Sequence, residues 1–139
     1  MITDVRQLEA LTREESLRLL GSVSLGRVVF TQFALPAIRP VNHLVEGDKI
    51  VIRTHIGATI TSAVDGTGTV VAYEADMIDA DDHLGWSVIV VGRANLLADP
   101  GEIARYQKAL RPWVSGDMDE VIVITADIVD GFRLTRSLA

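Results

Sequence analysis

The stretch PAIRPVNHLVEGDKIVIRT, from Pro36 to Thr54, decides how this chain folds. It holds two runs rich in β-branched residues, Pro36–Val45 and Lys49–Thr54, joined by Glu46-Gly47-Asp48. Apolar runs on either side of a tight Gly-Asp turn predict a β-hairpin rather than a helix. Pro40 cannot donate to a ladder, so the first strand is expected to lie at an edge or to carry a bulge there.

The same period continues outward from the hairpin. Leu25–Thr31 (LGRVVFT), Thr69–Ala75 (TVVAYEA) and Trp86–Leu97 (WSVIVVGRANLL) read as strands, the last bent by a bulge at Gly92. Glu120–Ile128 (EVIVITADI) and Gly131–Arg136 (GFRLTR) close the chain as two more. Asp76–His83 shows no apolar periodicity and reads as an exposed connection, and Asp65-Gly66-Thr67-Gly68 as a turn.

Two helices bracket the strands. Thr12-Arg13-Glu14-Glu15 has capping-box form, with Leu17 and Leu20 as an apolar stripe that Leu8 and Leu11 extend upstream. Asp99-Pro100-Gly101-Glu102 opens a second helix, in which Ile103, Tyr106, Leu110 and Trp113 share one face. Ala58–Val64 is compatible with one or two further helical turns. Six or seven strands with short connections predict one domain over residues 1–139, mainly β, with an antiparallel sheet closed into a barrel.

Composition narrows the function. The 139 residues carry a formal net charge of −6, with Lys and Arg scattered, which argues against a nucleic-acid partner. No apolar run approaches the length of a membrane span and the N-terminus lacks a signal-peptide core, so the cytoplasm is the expected compartment. Cysteine is absent, which excludes disulfides and thiolate chemistry. His43, His55 and His83 lack metal-ligand spacing, and the acids Asp79, Asp81 and Asp82 read as a solvated loop. No metal is expected, and no catalytic residue stands out.

One constellation remains. Arg53 and Thr54 at a strand end, followed by Gly57-Ala58-Thr59, would bring a cation, hydroxyls and free backbone N–H groups together, a combination suited to a phosphate. Asn42 would meet a polar heteroaromatic edge further along the same sheet. His43, its neighbour, must face the other way and reads as a core or interface residue.

At these residues the chain resembles the pyridoxamine 5′-phosphate oxidase-like superfamily of flavin-binding split barrels, in particular its short branch that includes nitroimidazole reductases. The similarity runs through Leu11–Ser16, Leu25–Phe30, Pro36–Asn42, Ile50–Thr54, Val70–Asp76 and Gly85–Val88. It implies a six-stranded split β-barrel, a homodimer, and FMN in two symmetric sites at the interface. On that basis Arg39, Pro40, Val41 and Asn42 lie along the flavin ring, Arg53 and Thr54 contact the ribityl chain and phosphate, and Trp86 and Ser87 approach from the second subunit. Gly57, Ala58 and Thr59 form the loop where many relatives carry a basic residue against the phosphate. Thr59 brings a hydroxyl without charge, so coenzyme F-420, FAD and haem stand as alternatives to FMN. The implied function is hydride transfer to a small organic acceptor; a non-catalytic flavin or haem carrier is the alternative.

Overall fold

In a computed structural model, residues 4–55, 60, 68–110 and 120–138 are described. The elements are β1 (Asp4–Ala10), α1 (Arg13–Gly21), β2 (Leu25–Gln32), β3 (Leu35–Glu46), β4 (Lys49–Thr54), β5 (Thr69–Ile78), β6 (Gly85–Leu96), α2 (Pro100–Ala109) and β7 (Glu120–Leu138). The sheet runs β1-β7-β4-β3-β2-β5-β6, and β6 returns to pair with β7. Strands β2 to β7 therefore close a six-stranded antiparallel barrel, and β1 is a seventh strand added along the outer half of β7.

Closure depends on β7 being long. Its first part pairs with β4 from Thr54↔Glu120 to Lys49↔Thr125, and its last part with β1 from Ala10↔Phe132 to Asp4↔Leu138. The two short strands expected at this end of the chain are thus one continuous strand. Gly131 does not break it, because a glycine in extended backbone keeps both ladder groups. The expected bulge is present, with the β6–β7 register shifting between Val91 and Gly92. A Cβ at Gly92 would stand 1.8 Å from the Thr125 carbonyl oxygen, so only glycine fits that bend.

Two other boundaries differ from the sequence expectation. Leu8 is not on the α1 face but in β1, 67% exposed, since a lone leucine on a two-stranded edge has no layer above it. Asp76, Met77 and Ile78 extend β5, held by Asp76↔Ser87, Met77↔Trp86 and Ile78↔Gly85. Pairing with β6 overrides their weak periodicity. Ala58–Val64 lies outside the described residues except for Ile60, which is fully buried, and Trp113 also lies outside.

Alternation sorts each strand into an inner and an outer face. Val28 and Phe30, Ile50 and Ile52, Val71 and Tyr73, Val88 and Val90, and Ile122 and Ile124 fill the barrel, with Leu20 of α1 closing one end. The capping box forms: Thr12 accepts from the Glu15 N–H, and the Glu15 carboxylate accepts from the Thr12 N–H. On the outside, α2 covers Val51 and Val121 with Tyr106 and Leu110. Glu46, at the hairpin turn, accepts from both Arg105 and Tyr106 at 2.9 Å, which ties that helix to the β3–β4 hairpin. No helix among the described residues is long and apolar enough to cross a membrane.

Candidate functional site

The outer face of β3, β2, β5, β6 and β7 is where the fold gathers residues that could meet a ligand. Register aligns them in rows across the five strands. One row is Asp76, Ser87 and Phe132, and past the last β2–β5 pair Leu25 and its partner Asn42 stand on the same face. The next is Pro40, Arg27, Glu74, Ile89 and Asp130, and a third is Ile38, Val29, Ala72, Val91 and Ile128. Each row takes alternate residues of every strand, so all of them point away from the core. Among the described residues no helix packs over the middle of this face, and Ile38, Ile89 and Ile128 are 53%, 46% and 58% exposed. At the Asn42 end a groove of about 350 Å³ runs between Ser22–Leu25 and Asp76–Met77.

The candidate residues from the sequence divide between two sides of the sheet. Pro40, Asn42 and Ser87 stand on the outer face. Arg53 follows Ile52, the partner of His43, one residue past the last β3–β4 pair. Val41 has the opposite parity and packs against the core. Arg39 is exposed, and its Nη1 donates to the Ile38 carbonyl at 2.8 Å. Thr54 is buried, and Trp86 is 7% exposed inside the barrel. Its position opposite Met77 gives it inward parity, so the indole is a core side chain. Gly57, Ala58 and Thr59 lie outside the described residues.

Arg53 has a local task. Its Nη1 donates to the carbonyls of Gln107 and Leu110, each at 2.8 Å. These are acceptors at the C-terminal end of α2, where the helix dipole favours a cation. The guanidinium expected on a phosphate thus also fastens α2 to the barrel.

His43 is inside, as alternation requires. Its Nε2–H donates to the Leu20 carbonyl at 2.7 Å, so Nδ1 carries the lone pair and accepts from the Tyr73 hydroxyl at 2.5 Å. The two rings meet edge to face, 5.1 Å apart. Burial holds the imidazole below its ordinary value, opposed by the bond to Leu20, and burial pushes the Tyr73 phenol up. This histidine is a neutral core residue, tied at both nitrogens and facing away from the outer surface. Gly26 makes the arrangement possible, since a Cβ there would lie 2.4 Å from the Tyr73 hydroxyl oxygen.

Glu74 and Asp76 of β5 also stand on this face, outside the candidates that the sequence offers. Glu74 lies opposite Arg27, with Oε1 3.4 Å from Arg27 Nη1. Partial burial, together with a hydrogen bond to the Asp76 carboxyl, pushes Glu74 up to about 7. The signal was present as two acids at alternate positions of one strand, but ending that strand at Ala75 hid it. In the Asp79 loop, Asp79 Oδ1 accepts from the Asp81 and Asp82 N–H groups. No cluster of metal-binding side chains occurs among the described residues.

A closed six-stranded barrel with an open outer face and helices at its ends is the split-barrel architecture. Residues 12–133 match the pyridoxamine 5′-phosphate oxidase family, and the chain belongs to it. The uncharacterised protein Rv0080 of Mycobacterium tuberculosis is 50% identical over 132 residues, spanning 93% of this chain and 87% of its own. A Corynebacterium glutamicum structure, named as a candidate pyridoxamine 5′-phosphate oxidase, is 32% identical. It superposes with a TM-score of 0.77 over 93% of this chain and 99% of the other. The FAD-binding protein of Mycobacterium smegmatis is 28% identical, with a TM-score of 0.66 over 91% and 98% of the two chains.

Proposed function

We propose that this protein is a flavin-dependent oxidoreductase acting as a pair of identical subunits, with the cofactor held against the outer sheet face between them. The observation that carries the reading is the open outer face that Asn42 and Ser87 share, with Arg53 one residue past the last β3–β4 pair. Beyond the row of Pro40, Arg27, Glu74, Ile89 and Asp130, the apolar row of Val29, Ala72 and Val91 offers a flat surface for a tricyclic ring. The Asn42 amide and Ser87 hydroxyl can donate to and accept from the ring's polar edge. A barrel filled by its own side chains has no interior cleft, so burying a ring requires a second surface, and a two-fold copy supplies it twice.

FMN or FAD would supply the hydride chemistry when bound, and the chain's residues would bind and orient it. The Mycobacterium smegmatis relative, named for FAD binding, supports a flavin and keeps FAD level with FMN. Coenzyme F-420 stays in view as a co-substrate, and a small organic molecule as acceptor. The cytoplasm remains the expected setting. A carrier that binds a flavin or haem without turnover is the second reading, favoured by the inward placement of His43, which removes it as a proton donor at the face.

The test is a titration of the purified protein with FMN, FAD, F-420 and haem, followed by absorbance and fluorescence. One cofactor should saturate at one per subunit, and Asn42→Ala should weaken it. No binding up to about 100 μM would overturn the reading. Binding without oxidation of the reduced cofactor by any acceptor would favour the carrier.

A further inference from the structure

The barrel core encloses a hydrogen-bonded pair that the outer face leaves unused. Tyr73 is fully buried in the cluster that holds Val28, Phe30, Val71 and Val90, and His43 is 3% exposed. Two apolar side chains could fill that space without desolvating a hydroxyl and an imidazole, so the pair is costly unless its bonds are made. Both are made. The Leu20 carbonyl can only accept, which fixes a proton on His43 Nε2 and leaves the lone pair of Nδ1 2.5 Å from the Tyr73 oxygen.

One-electron oxidation of a phenol needs this geometry. A phenol that loses an electron becomes a strong acid, so in an apolar interior the electron cannot leave unless a base takes the proton in the same step. His43 Nδ1 is a neutral base already aligned on that proton. The imidazolium so formed keeps its Nε2–H bond to Leu20 and donates back from Nδ1 to the phenoxyl oxygen. The proton therefore stays inside the pair and returns when the electron does. Tyr73 also lies directly beneath the outer face, because its neighbour Ala72 points outward in the apolar row of Val29, Ala72 and Val91.

We propose that Tyr73 and His43 form a proton-coupled redox pair, in which Tyr73 gives one electron to a light-excited flavin on the outer face and its phenolic proton to His43 Nδ1. The phenol O–H bond breaks and the Nδ1–H bond forms. Tyr73 is oxidised by one electron and the flavin ring is reduced by one. Return of that electron and that proton restores both residues. The identity of the oxidant rests on the flavin reading above, whereas the pair itself does not.

The chain has two tyrosines, so a Tyr106→Phe protein carries Tyr73 alone. Flash oxidation of that protein by photogenerated tris(bipyridyl)ruthenium(III), without flavin, followed by transient absorbance and paramagnetic resonance, tests the pair. A tyrosyl radical should form, form more slowly in heavy water, and be re-reduced without loss of the tyrosine. Adding His43→Gln, whose amide spans the same two bonds but is not a base, should slow radical formation by about a hundredfold or more. Circular dichroism reports whether that variant folds; if it does not, the heavy-water comparison decides. A radical confined to tryptophan, a rate unchanged in heavy water, or a folded His43→Gln protein as fast as its parent overturns the pair. In the FMN-loaded protein, Tyr73→Phe should lengthen the excited-state lifetime of the flavin. An unchanged lifetime overturns the flavin as oxidant, and failure of FMN, FAD and F-420 to bind overturns the reading above while the ruthenium result stands.

Discussion

Removing the Tyr73 hydroxyl should destabilise the fold most at neutral and alkaline pH, and less as the solution is acidified. Tyr73 is fully buried, His43 is 3% exposed, and the imidazole Nδ1 has the phenol as its donor. Tyr73→Phe preserves the ring and leaves that lone pair without a partner, at a cost of about 1–3 kcal/mol. For a chain of this length that is a fall in Tm of about 3–5 °C per kcal/mol. The pH dependence follows from His43, whose value in the folded state is lowered from 6.5 by burial. The unfolded chain takes a proton there first. The stability contributed by the neutral imidazole is therefore complete above the unfolded value and declines as pH falls below it, by at most about 1.4 kcal/mol per unit. In the Phe variant nothing rewards a bare Nδ1, so the folded value moves back up and the decline is shallower. Carboxylate titrations are common to both proteins and cancel in the difference. Urea unfolding at about pH 8 and about pH 5.5, read by tryptophan fluorescence, compares them directly. A difference below about 0.5 kcal/mol at the higher pH, or one that does not shrink at the lower pH, would refute this account of the network.

Other substitutions test how the elements are fastened. Gly26→Ala should cost about 1–3 kcal/mol in thermal or urea unfolding, since its Cβ would fall within 2.5 Å of three Tyr73 atoms. Gly131→Ala should loosen α1, because the new methyl would stand 2.0 Å from Ser16 Oγ; faster hydrogen exchange across Arg13–Gly21, with the strand amides unchanged, is the expected signature. Arg53→Met should destabilise the ligand-free protein by about 1.5–3 kcal/mol by stripping two carbonyls at the end of α2 of their cationic donor. Unaltered stability in that variant would return Arg53 to a purely ligand-binding role.

Much of the fold was legible because the strands of the barrel obey a simple period. The hairpin at Gly47-Asp48, the bulge at Gly92 and both helix starts were readable from turn and capping chemistry, which is local. What escaped depends on pairing. β1 has an apolar pattern too thin to announce a strand, and it exists because the C-terminal half of β7 continues past β4 and needs a partner. Asp76–Ile78 are acidic or exposed, and are extended because β6 runs alongside them. Two strands were expected where β7 is one, since Asp130-Gly131 resembles a turn to local rules while two flanking ladders hold it straight.

The candidate site divides along the same line. Parity within a strand is a local property, so Asn42 and His43 could be assigned to opposite faces from sequence, and the barrel agrees. Parity between strands is not local, because it depends on register. Trp86 and Ser87 are adjacent and equally plausible beside a ring, yet the pairing Asp76↔Ser87 turns the serine outward and commits the tryptophan to the core. The same pairing places Asp76 beside Ser87, and Arg27↔Glu74 sets the other acid against its cation. A carboxylate pair set against one guanidinium on an open sheet face is a feature of aligned strands. No single segment contains it, which is why the most chemically unusual point of this surface lay in residues that looked like ordinary strand and loop.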